Sequence, residues 1–518
     1  NVFPGVLGRV CTRPCEDRCR HQWTNTNGPV TICHLKREAA DRKTTPAGPL
    51  AHWFADSGKH VAVIGAGPAG LTAVRELRRY GHEVSLFERH GKLGGMMRLG
   101  IPVFRLPRRV IDEECQAIVA DGVDVRLGED VDAARVDALL TAHDAVLLAT
   151  GTMRVNGLGL SGVDEGGALS GLEFMRRYNL GGKPPVTGPV VVVGGGFTAV
   201  DCVRTARRLL GLGGGDVRVM YRRTEAHMAA DHHELEQIRE EDIAIETLVS
   251  PVAVTLDQGR VVSVTFQRNA LGADVASGKP AITPIEGSEF EQPCGTLIVA
   301  IGQSWDDRLL PAGVERASNC GTNREGLFVA GDFNTGATDV IHAVADGKAA
   351  AAAIDSSLMG GERKRPLVTI ALEESGETGR LRDHDLVLPA PMRTRPVAAR
   401  INRREVDLGF GTPAVEPNAL RCYFCNHKYE IDQDLCIHCD WCIRVAPRDC
   451  IKRVTRLFRD EDGAPLNQIE TDRPHEATYI WIDSDQCIRC GNCLRVCPTG
   501  AISCRKSERK DLPTSIEG

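Results

Sequence analysis

Val61-Ala62-Val63-Ile64-Gly65-Ala66-Gly67-Pro68-Ala69-Gly70 runs four apolar residues straight into a glycine-rich turn. A buried parallel strand reads this way, and the G-x-G-x-x-G spacing turns it into the start of a helix. Leu71, Val74, Leu77 and Tyr80 fall on one stripe of that helix, and Gly81 stops it. The next strand, Val84-Ser85-Leu86-Phe87, ends at Glu88, 18 residues beyond Gly70. The three glycines serve a tight turn, close approach to a pyrophosphate, and close helix–strand packing. The helix N-terminus directs amides at the phosphates, and an acid at the second strand's end accepts ribose hydroxyls. The turn alone is weak evidence; strand, turn, helix and acid together define a dinucleotide-binding βαβ unit. Its expected contacts are Gly65, Gly67, Pro68, Ala69, Gly70 and Glu88.

A second unit starts at Val190-Val191-Val192-Val193 and turns at Gly194-Gly195-Gly196-Phe197-Thr198-Ala199. Ala199 takes the third glycine's place, a tolerated exchange. Gly194, Gly196, Thr198 and Ala199 are the expected contacts. The following strand, Val217 to Tyr221, ends in Arg222-Arg223 rather than an acid. Arginines there accommodate a 2′-phosphate, which favours NADP(H) over NAD(H); two solvated surface arginines are the alternative. Two units 129 residues apart suggest one flavin nucleotide and one nicotinamide nucleotide. The first domain resumes at Leu327-Phe328-Val329-Ala330, which runs into Gly331-Asp332 and a helix carrying Val340 and Val344. That glycine and aspartate suit a flavin's ribityl–phosphate tail. Strands entering Ala149-Thr150-Gly151 and Ala300-Ile301-Gly302 read as the returns between the two domains.

With these segments in view, residues 1 to about 355 resemble the small subunit of glutamate synthase and its relatives, including the flavin half of dihydropyrimidine dehydrogenase. The matching stretches are Gly65 to Leu71, Gly94-Gly95-Met96-Met97-Arg98-Leu99-Gly100-Ile101-Pro102, Gly194 to Asp201, Tyr221-Arg222-Arg223, Ala300-Ile301-Gly302-Gln303 and Ala330-Gly331-Asp332. The resemblance implies FAD on the first site and NADPH on the second, with flavin contacts near Gly95, Met97, Asp332, Thr338 and Val340. One departure is Met228-Ala229-Ala230, where the family usually has proline after the methionine. No redox cysteine pair follows Glu88, so the flavin is expected to pass electrons elsewhere.

Cysteine is the compositional anomaly: 19 residues, crowded before residue 34 and after residue 421. Dense clusters flanking a cysteine-poor centre favour iron–sulfur ligation in a reducing compartment over disulfides. Cys11, Cys15, Cys19 and Cys33 form a C-x3-C-x3-C run plus one, enough for a [4Fe–4S] cluster; a zinc site or a remnant cluster domain is the alternative. The segment resembles the same family's N-terminal cluster domain, which normally holds two clusters with further cysteines upstream. That family often has Glu or Gln at the position aligned with Lys36, and Cys33 is the natural substitute ligand. His21 and His34 are read as bystanders.

The C-terminal region repeats itself at an offset of 51 residues: Cys436, Cys439 and Cys442 align with Cys487, Cys490 and Cys493. This is the two-cluster ferredoxin pattern, in which each run's last cysteine serves the other cluster. The second run has Cys497, but its counterpart is Ala446; four residues on, Cys450 aligns with Ala501. One helical turn would bring positions 446 and 450 to one face. The expected sets are therefore Cys436, Cys439, Cys442 and Cys497, and Cys487, Cys490, Cys493 and Cys450. A [3Fe–4S] cluster with Cys450 free is the alternative for the second. Cys422 and Cys425 lack obvious partners, and Cys504 reads as a packed thiol. His227, His232 and His233 complete no ligand-spaced set.

The 518 residues, 42% hydrophobic and 25% charged, imply several soluble domains. A net charge of −6 argues against nucleic acid as the main partner. No apolar run approaches the roughly 18 residues of a membrane helix, and residues 1–5 do not read as a signal peptide. The expectation is a cytoplasmic, multidomain α/β chain. It comprises an α-helical Fe–S segment (1–55), a Rossmann-like FAD domain (56–151 and 326–360) with a Rossmann-like NAD(P)H domain inserted (152–325), a linker (361–420) and an α+β ferredoxin-like domain (421–518). Three [4Fe–4S] clusters are expected in all. The function expected is an electron-transfer subunit joining NAD(P)H, through FAD and the clusters, to a low-potential partner such as a 2-oxoacid:ferredoxin oxidoreductase or soluble ferredoxin. The alternatives are the small subunit of an NADPH-dependent glutamate synthase, with an amidotransferase partner, and a non-catalytic electron-carrier or docking subunit.

Overall fold

The structure is a computed structural model. It describes residues 1–518 except 25–26, 45–49, 162, 164–166, 212, 231, 275–279, 307–308, 318, 364–368, 376–381, 460–464 and 511–518. The chain forms two compact units. One comprises Asn1–Thr12, Ala40–Arg363 and Arg393–Leu408; the other comprises Arg13–Ala39, Lys364–Met392 and Gly409–Gly518.

In the first unit, the strand His60–Ile64 lies at the centre of a five-stranded parallel sheet. Glu83–Glu88 and Asp124–Leu127 extend it on one side, Ala145–Leu148 and Leu327–Val329 on the other. The last of these strands returns after nearly two hundred residues, so the second domain is inserted into the first. Its sheet is also parallel, in the order Leu169–Ser170, Thr296–Val299, Val190–Val193, Val217–Tyr221 and Ala244–Thr247. The four valines of Val190–Val193 are all buried, as a strand covered on both faces demands. Each contributes roughly 1.5–3 kcal/mol of burial. An antiparallel sheet of Val249–Asp257, Arg260–Asp274, Pro280–Pro284 and Phe290–Pro293 flanks it. The two crossings between domains pair with each other, Arg154–Val155 antiparallel to Gln303–Ser304.

The helix Pro68–Arg79 buries Leu71, Val74 and Leu77 completely and Tyr80 nearly so, and Gly81 ends it with φ +86°. The return helix Val340–Leu358 crosses it so closely that a Cβ on Gly347 would lie 2.3 Å from the Ala69 carbonyl oxygen. That contact locks the halves of the first domain, and within the first half a Cβ on Gly70 would sit 1.9 Å from the Gly65 oxygen.

The second unit is α+β. One sheet is Thr369–Glu374, Ile502–Lys510 and His427–Ile431; the other is Pro465–Glu470, Ile451–Arg459 and Tyr479–Ile482. Two short helices, Trp441–Val445 and Asn492–Val496, are each entered through a left-handed residue, Asp440 and Gly491. The internal repeat is visible in the hydrogen bonds. Asp432 and Asp483 accept from Asp434 N (2.9 Å) and Asp485 N (2.8 Å). The backbone of each half reaches the other: Asp432 N donates to Ala501 O and Asp483 N to Cys450 O, both at 2.8 Å.

Residues 361–420 are not a plain tether. Thr369–Glu374 adds a strand beside Ile502–Lys510, and residues 393–408 pack on the inserted domain, where Val406 enters its core and donates to Phe104 O at 2.8 Å. Both attachments join residues far apart in sequence, which is why no local periodicity announces them. The N-terminal stretch forms the helices Pro4–Val10, Pro14–Asp17, Arg20–Thr24 and Ile32–Asp41. Glu114 takes the exposed amides of the first, accepting from Gly5 N (2.5 Å) and Val6 N (3.1 Å).

Candidate functional site

The loops at the ends of both parallel sheets open into one cavity of about 810 Å³. Gly65, Gly67, Pro68, Ala69, Glu88, Gly95 and Met97 line it, as do Asp332, Thr338 and Val340 from the returning strand and helix. Thr198 reaches it from the inserted domain. The cradle has the shape that a nucleotide needs. A Cβ on Gly67 would meet nothing within 4 Å, whereas one on Gly65 would lie 2.5 Å from Ala149 O and one on Gly95 2.6 Å from Gly67 Cα. The floor is therefore packed to the limit and the space above it is open. Gly70 and Gly331 lie beneath it as packing positions, a Cβ on Gly331 meeting Ala69 Cβ at 2.6 Å.

Glu88 is 6% exposed, and its carboxylate braces the loop. One oxygen accepts from Ala66 N at 2.9 Å, the other from His90 N at 2.9 Å and faces His90 Nδ1 at 2.8 Å. Asp332 Oδ1 accepts from Thr338 N (3.0 Å) and Thr338 Oγ1 (2.8 Å); burial pushes its carboxyl up, against those two bonds. Asp339 caps the return helix by accepting from His342 N at 3.0 Å.

Gly194, Gly196 and Ala199 form the second strand–helix turn, with Ala199 fully buried at the start of the helix Phe197–Leu210. Arg222 and Arg223 do not line the cavity: Arg222 is exposed at the strand end and Arg223 Nε donates to Pro280 O at 2.9 Å.

Sequence reading missed one feature of this cavity. Arg105 and Asp201 both line it, joined at 2.7 Å, and Arg105 also pairs with Glu234. Burial pushes Asp201 up to about 6 against the pull of Arg105; two carboxylates, in turn, hold the guanidinium firmly charged against its burial. The partners lie 96 and 129 residues from Arg105, so no local signal marked it.

In the second unit, Cys436, Cys439, Cys442 and Cys497 line one small cavity together with Thr499, Ala501 and Ile502. Cys450 stands in the other group. Its thiol hydrogen-bonds to Cys487, and Cys490 and Cys493 act on it electrostatically. That hydrogen bond lowers Cys487 to about 6, helped by Arg489 N at 3.4 Å from its sulfur and opposed by burial. Ala446 packs among the apolar side chains of this core. Among the described residues, no three His, Cys, Asp or Glu side chains could hold one metal ion together. Cys436, Cys439, Cys442 and Cys497 share that one small cavity, while Cys450, Cys487, Cys490 and Cys493 are each buried.

Cys11 belongs to the first unit; Cys15, Cys19 and Cys33 belong to the second, where Cys33 is buried and its N–H donates to Glu16 at 2.8 Å. Cys422 and Cys425 follow the helix Thr412–Leu420, and Cys425 is exposed. His21 faces Gly28 O at 2.7 Å and His34 packs edge-on against Phe410, both structural contacts. His227 pairs with Thr224, His232 with Glu236 and His233 with Asp407. Cys115, Cys202, Cys294 and Cys320 of the central domains are each buried.

Two nested dinucleotide folds sharing one cavity, with a cysteine-rich repeat on the same chain, define an NAD(P)H-dependent flavin and iron–sulfur oxidoreductase. Residues 59–347 match the model of the pyridine nucleotide-disulphide oxidoreductases and residues 480–503 that of the 4Fe-4S binding domain. The chain belongs to the pyridine nucleotide-disulphide oxidoreductase family, although its central cysteines form no redox pair. It is 35% identical over 469 residues to the NADP(+)-dependent formate dehydrogenase subunit beta of Moorella thermoacetica, covering 82% of this chain and 65% of that one. It is 32% identical to the glutamate synthase [NADPH] small chain of Escherichia coli, covering 68% and 80%. The chain thus spans just under two thirds of the first relative and most of the second. The fold of FprA from Mycobacterium tuberculosis, in its complex with NADPH, superimposes with a TM-score of 0.52 at 19% identity, over 58% of this chain and 85% of that one. The match to the 4Fe-4S model takes in the second cysteine run only, the one that keeps its fourth cysteine. Among the described residues, no helix is long and apolar enough to cross a membrane.

Proposed function

We propose that this chain is the nicotinamide-handling subunit of a multi-subunit redox complex, linking NADP(H) to a low-potential partner through flavin and iron–sulfur clusters. The observation that carries the reading is one cavity lined by Gly65 and Gly67 of the first turn and by Phe197, Thr198 and Asp201 at the start of the second unit's helix. A flavin bound there supplies the conversion between a two-electron nicotinamide and one-electron clusters.

The chain's own residues divide the task. Gly65, Gly67 and the N-terminus of Pro68–Arg79 receive the flavin's pyrophosphate, and Glu88 receives its ribose. Gly95, Met97, Asp332, Thr338 and Val340 enclose the rest. Gly194, Gly196, Thr198 and Ala199 receive the second pyrophosphate, with Arg222 and Arg223 at the strand end where a 2′-phosphate falls. Cys436, Cys439, Cys442 and Cys497 hold one cluster; Cys487, Cys490, Cys493 and Cys450 hold the other. The N-terminal set, Cys11, Cys15, Cys19 and Cys33, rests on its spacing.

The formate dehydrogenase relative favours a partner subunit that exchanges electrons with a small low-potential substrate. The glutamate synthase small chain, also a relative, supports the second reading. In the assay that decides, chain purified without air is yellow, contains inorganic sulfide and reduces a viologen dye with NADPH. Protein with neither chromophore nor sulfide overturns the proposal. Co-purified subunits then identify the partner.

A further inference from the structure

Arg421 is one of the largest fully buried side chains in the molecule, at 0% exposure. A guanidinium is always charged and has five N–H donors, so burial demands both acceptors and an anion. Here the acceptors are all neutral. Nη1 donates to Pro29 O at 2.7 Å, and Nη2 to Asn27 O at 2.7 Å and Gly28 O at 3.0 Å. Nε is buried with no partner. Among the described residues, no carboxylate pairs with it. The groups acting on it electrostatically are the thiol of Cys19 and the phenol of Tyr423.

Some arginines of the protein meet carboxylates, whereas Arg421, like the buried Arg207 and Arg489, has only carbonyl oxygens as acceptors among the described residues. Arg204 and Arg208 share Glu241, and Arg105 has Asp201 and Glu234. Its three carbonyls belong to the loop between Cys19 and Cys33, and its own position immediately precedes Cys422. All of these residues fall in the second unit. Tyr423, two residues on, packs against His21 at 4.9 Å, so the same short segment grips the N-terminal stretch twice.

We infer that Arg421 is the built-in counter-cation of the N-terminal iron–sulfur cluster, clamping the loop between Cys19 and Cys33 and raising the cluster's reduction potential. The inference rests on the proposed N-terminal cluster. A cluster held by thiolates is anionic, and taking up one electron adds one more negative charge. A fixed positive charge beside Cys19 stabilises that reduced form more than the oxidised one. Hydrogen bonding and charge around the sulfurs are the protein's means of setting such potentials. Arg421 is thus a positioning and tuning residue, with no part in ligation.

The test is a redox titration followed by EPR on the full chain, prepared without air. The N-terminal signal is first assigned as the one that disappears in Cys19→Ser. If Cys19→Ser changes neither iron content nor any signal, the cluster assignment fails and takes the inference with it. With the signal assigned, Arg421→Gln shifts its midpoint downward and leaves the signals of the ferredoxin repeat in place. Each tenfold loss of preference for the reduced form reads as 59 mV for this one-electron couple. An unchanged midpoint with the cluster present overturns the role of Arg421 while leaving the cluster assignment standing. Should Arg421→Gln fail to assemble the cluster, Arg421→Lys decides. Lysine keeps the charge without the three-carbonyl clamp, so a midpoint near that of the unaltered protein is expected. A midpoint lowered as though the charge were gone overturns the inference.

Discussion

Replacing Glu241 by glutamine should destabilise the inserted nucleotide domain by about 3–5 kcal/mol. Glu241 is 2% exposed and lies between two arginines that are 1% and 3% exposed at their side chains. Its oxygens accept from Arg204 Nη2 at 2.7 Å and Nε at 3.2 Å, and from Arg208 Nη1 and Nη2 at 2.8 and 2.9 Å. Arg208 in turn lies 3.7 Å over the ring of Phe104. Burial alone would raise the carboxyl, but the two guanidiniums overcome it and bring Glu241 from 4.5 to about 2. At about 1.4 kcal/mol per unit this is about 3 kcal/mol favouring the ionised form, in line with the cost of removing one member of a buried ion cluster. The glutamine keeps the shape and loses the charge, stranding two buried cations. For a domain of this size the melting temperature should fall by about 6–20 °C. Thermal melting followed by circular dichroism reads the fall, and hydrogen exchange of the helix Phe197–Leu210 locates it. The sign of the pH dependence follows from the depressed carboxyl. This stabilisation is complete above about 4.5 and is lost as pH falls toward about 2. A triple variant, Arg204→Met, Arg208→Met and Glu241→Leu, removes both guanidiniums that the glutamine strands, leaves Arg400 paired with Glu240, and should melt above Glu241→Gln alone. A glutamine variant that costs less than about 1 kcal/mol, or a triple variant less stable than the single one, refutes the reasoning.

Gly70→Val brings a side chain to within 1.9 Å of the Gly65 oxygen, forcing the first turn open. Purified variant should lose bound flavin absorbance, at an overpacking cost of roughly 1–3 kcal/mol. Arg222→Ala with Arg223→Ala should raise KM for NADPH roughly 10- to 150-fold, since charge-assisted hydrogen bonds contribute about 1.5–3 kcal/mol, and leave NADH unchanged. Equal effects on both nucleotides would remove these arginines from the 2′-phosphate. Cys450→Ser should lower iron and sulfide content and alter the EPR signal of one ferredoxin cluster, while Cys504→Ser should do neither. Unchanged iron in Cys450→Ser would leave that cluster with three cysteines.

What the sequence disclosed and what it hid divide along one physical line. Val61–Gly70 and Val190–Ala199 could be read because strand, turn and helix are neighbours in the chain, and each glycine answers to a contact a few residues away. Gly70 against Gly65 is such a contact. The ferredoxin repeat could be read for a related reason: its register is constant, so an exchange of Ala446 for Cys450 stands out against Cys497 and Ala501. The structure bears on that exchange in a way spacing could not. Asp483 N donates to Cys450 O as Asp432 N donates to Ala501 O, so positions 450 and 501 hold the two halves together by backbone, whatever their side chains. A cysteine can therefore move into position 450 without disturbing the fold, and there its thiol meets Cys487. Arg105, Arg421 and the strand Thr369–Glu374 were hidden because their partners lie far along the chain and leave no periodicity. Each of them joins elements rather than building one. Local motifs thus announce where nucleotides and iron belong. The charges that adjust those sites are placed by tertiary structure, and they become visible only when a buried cation such as Arg421 is found with carbonyl oxygens alone as its acceptors.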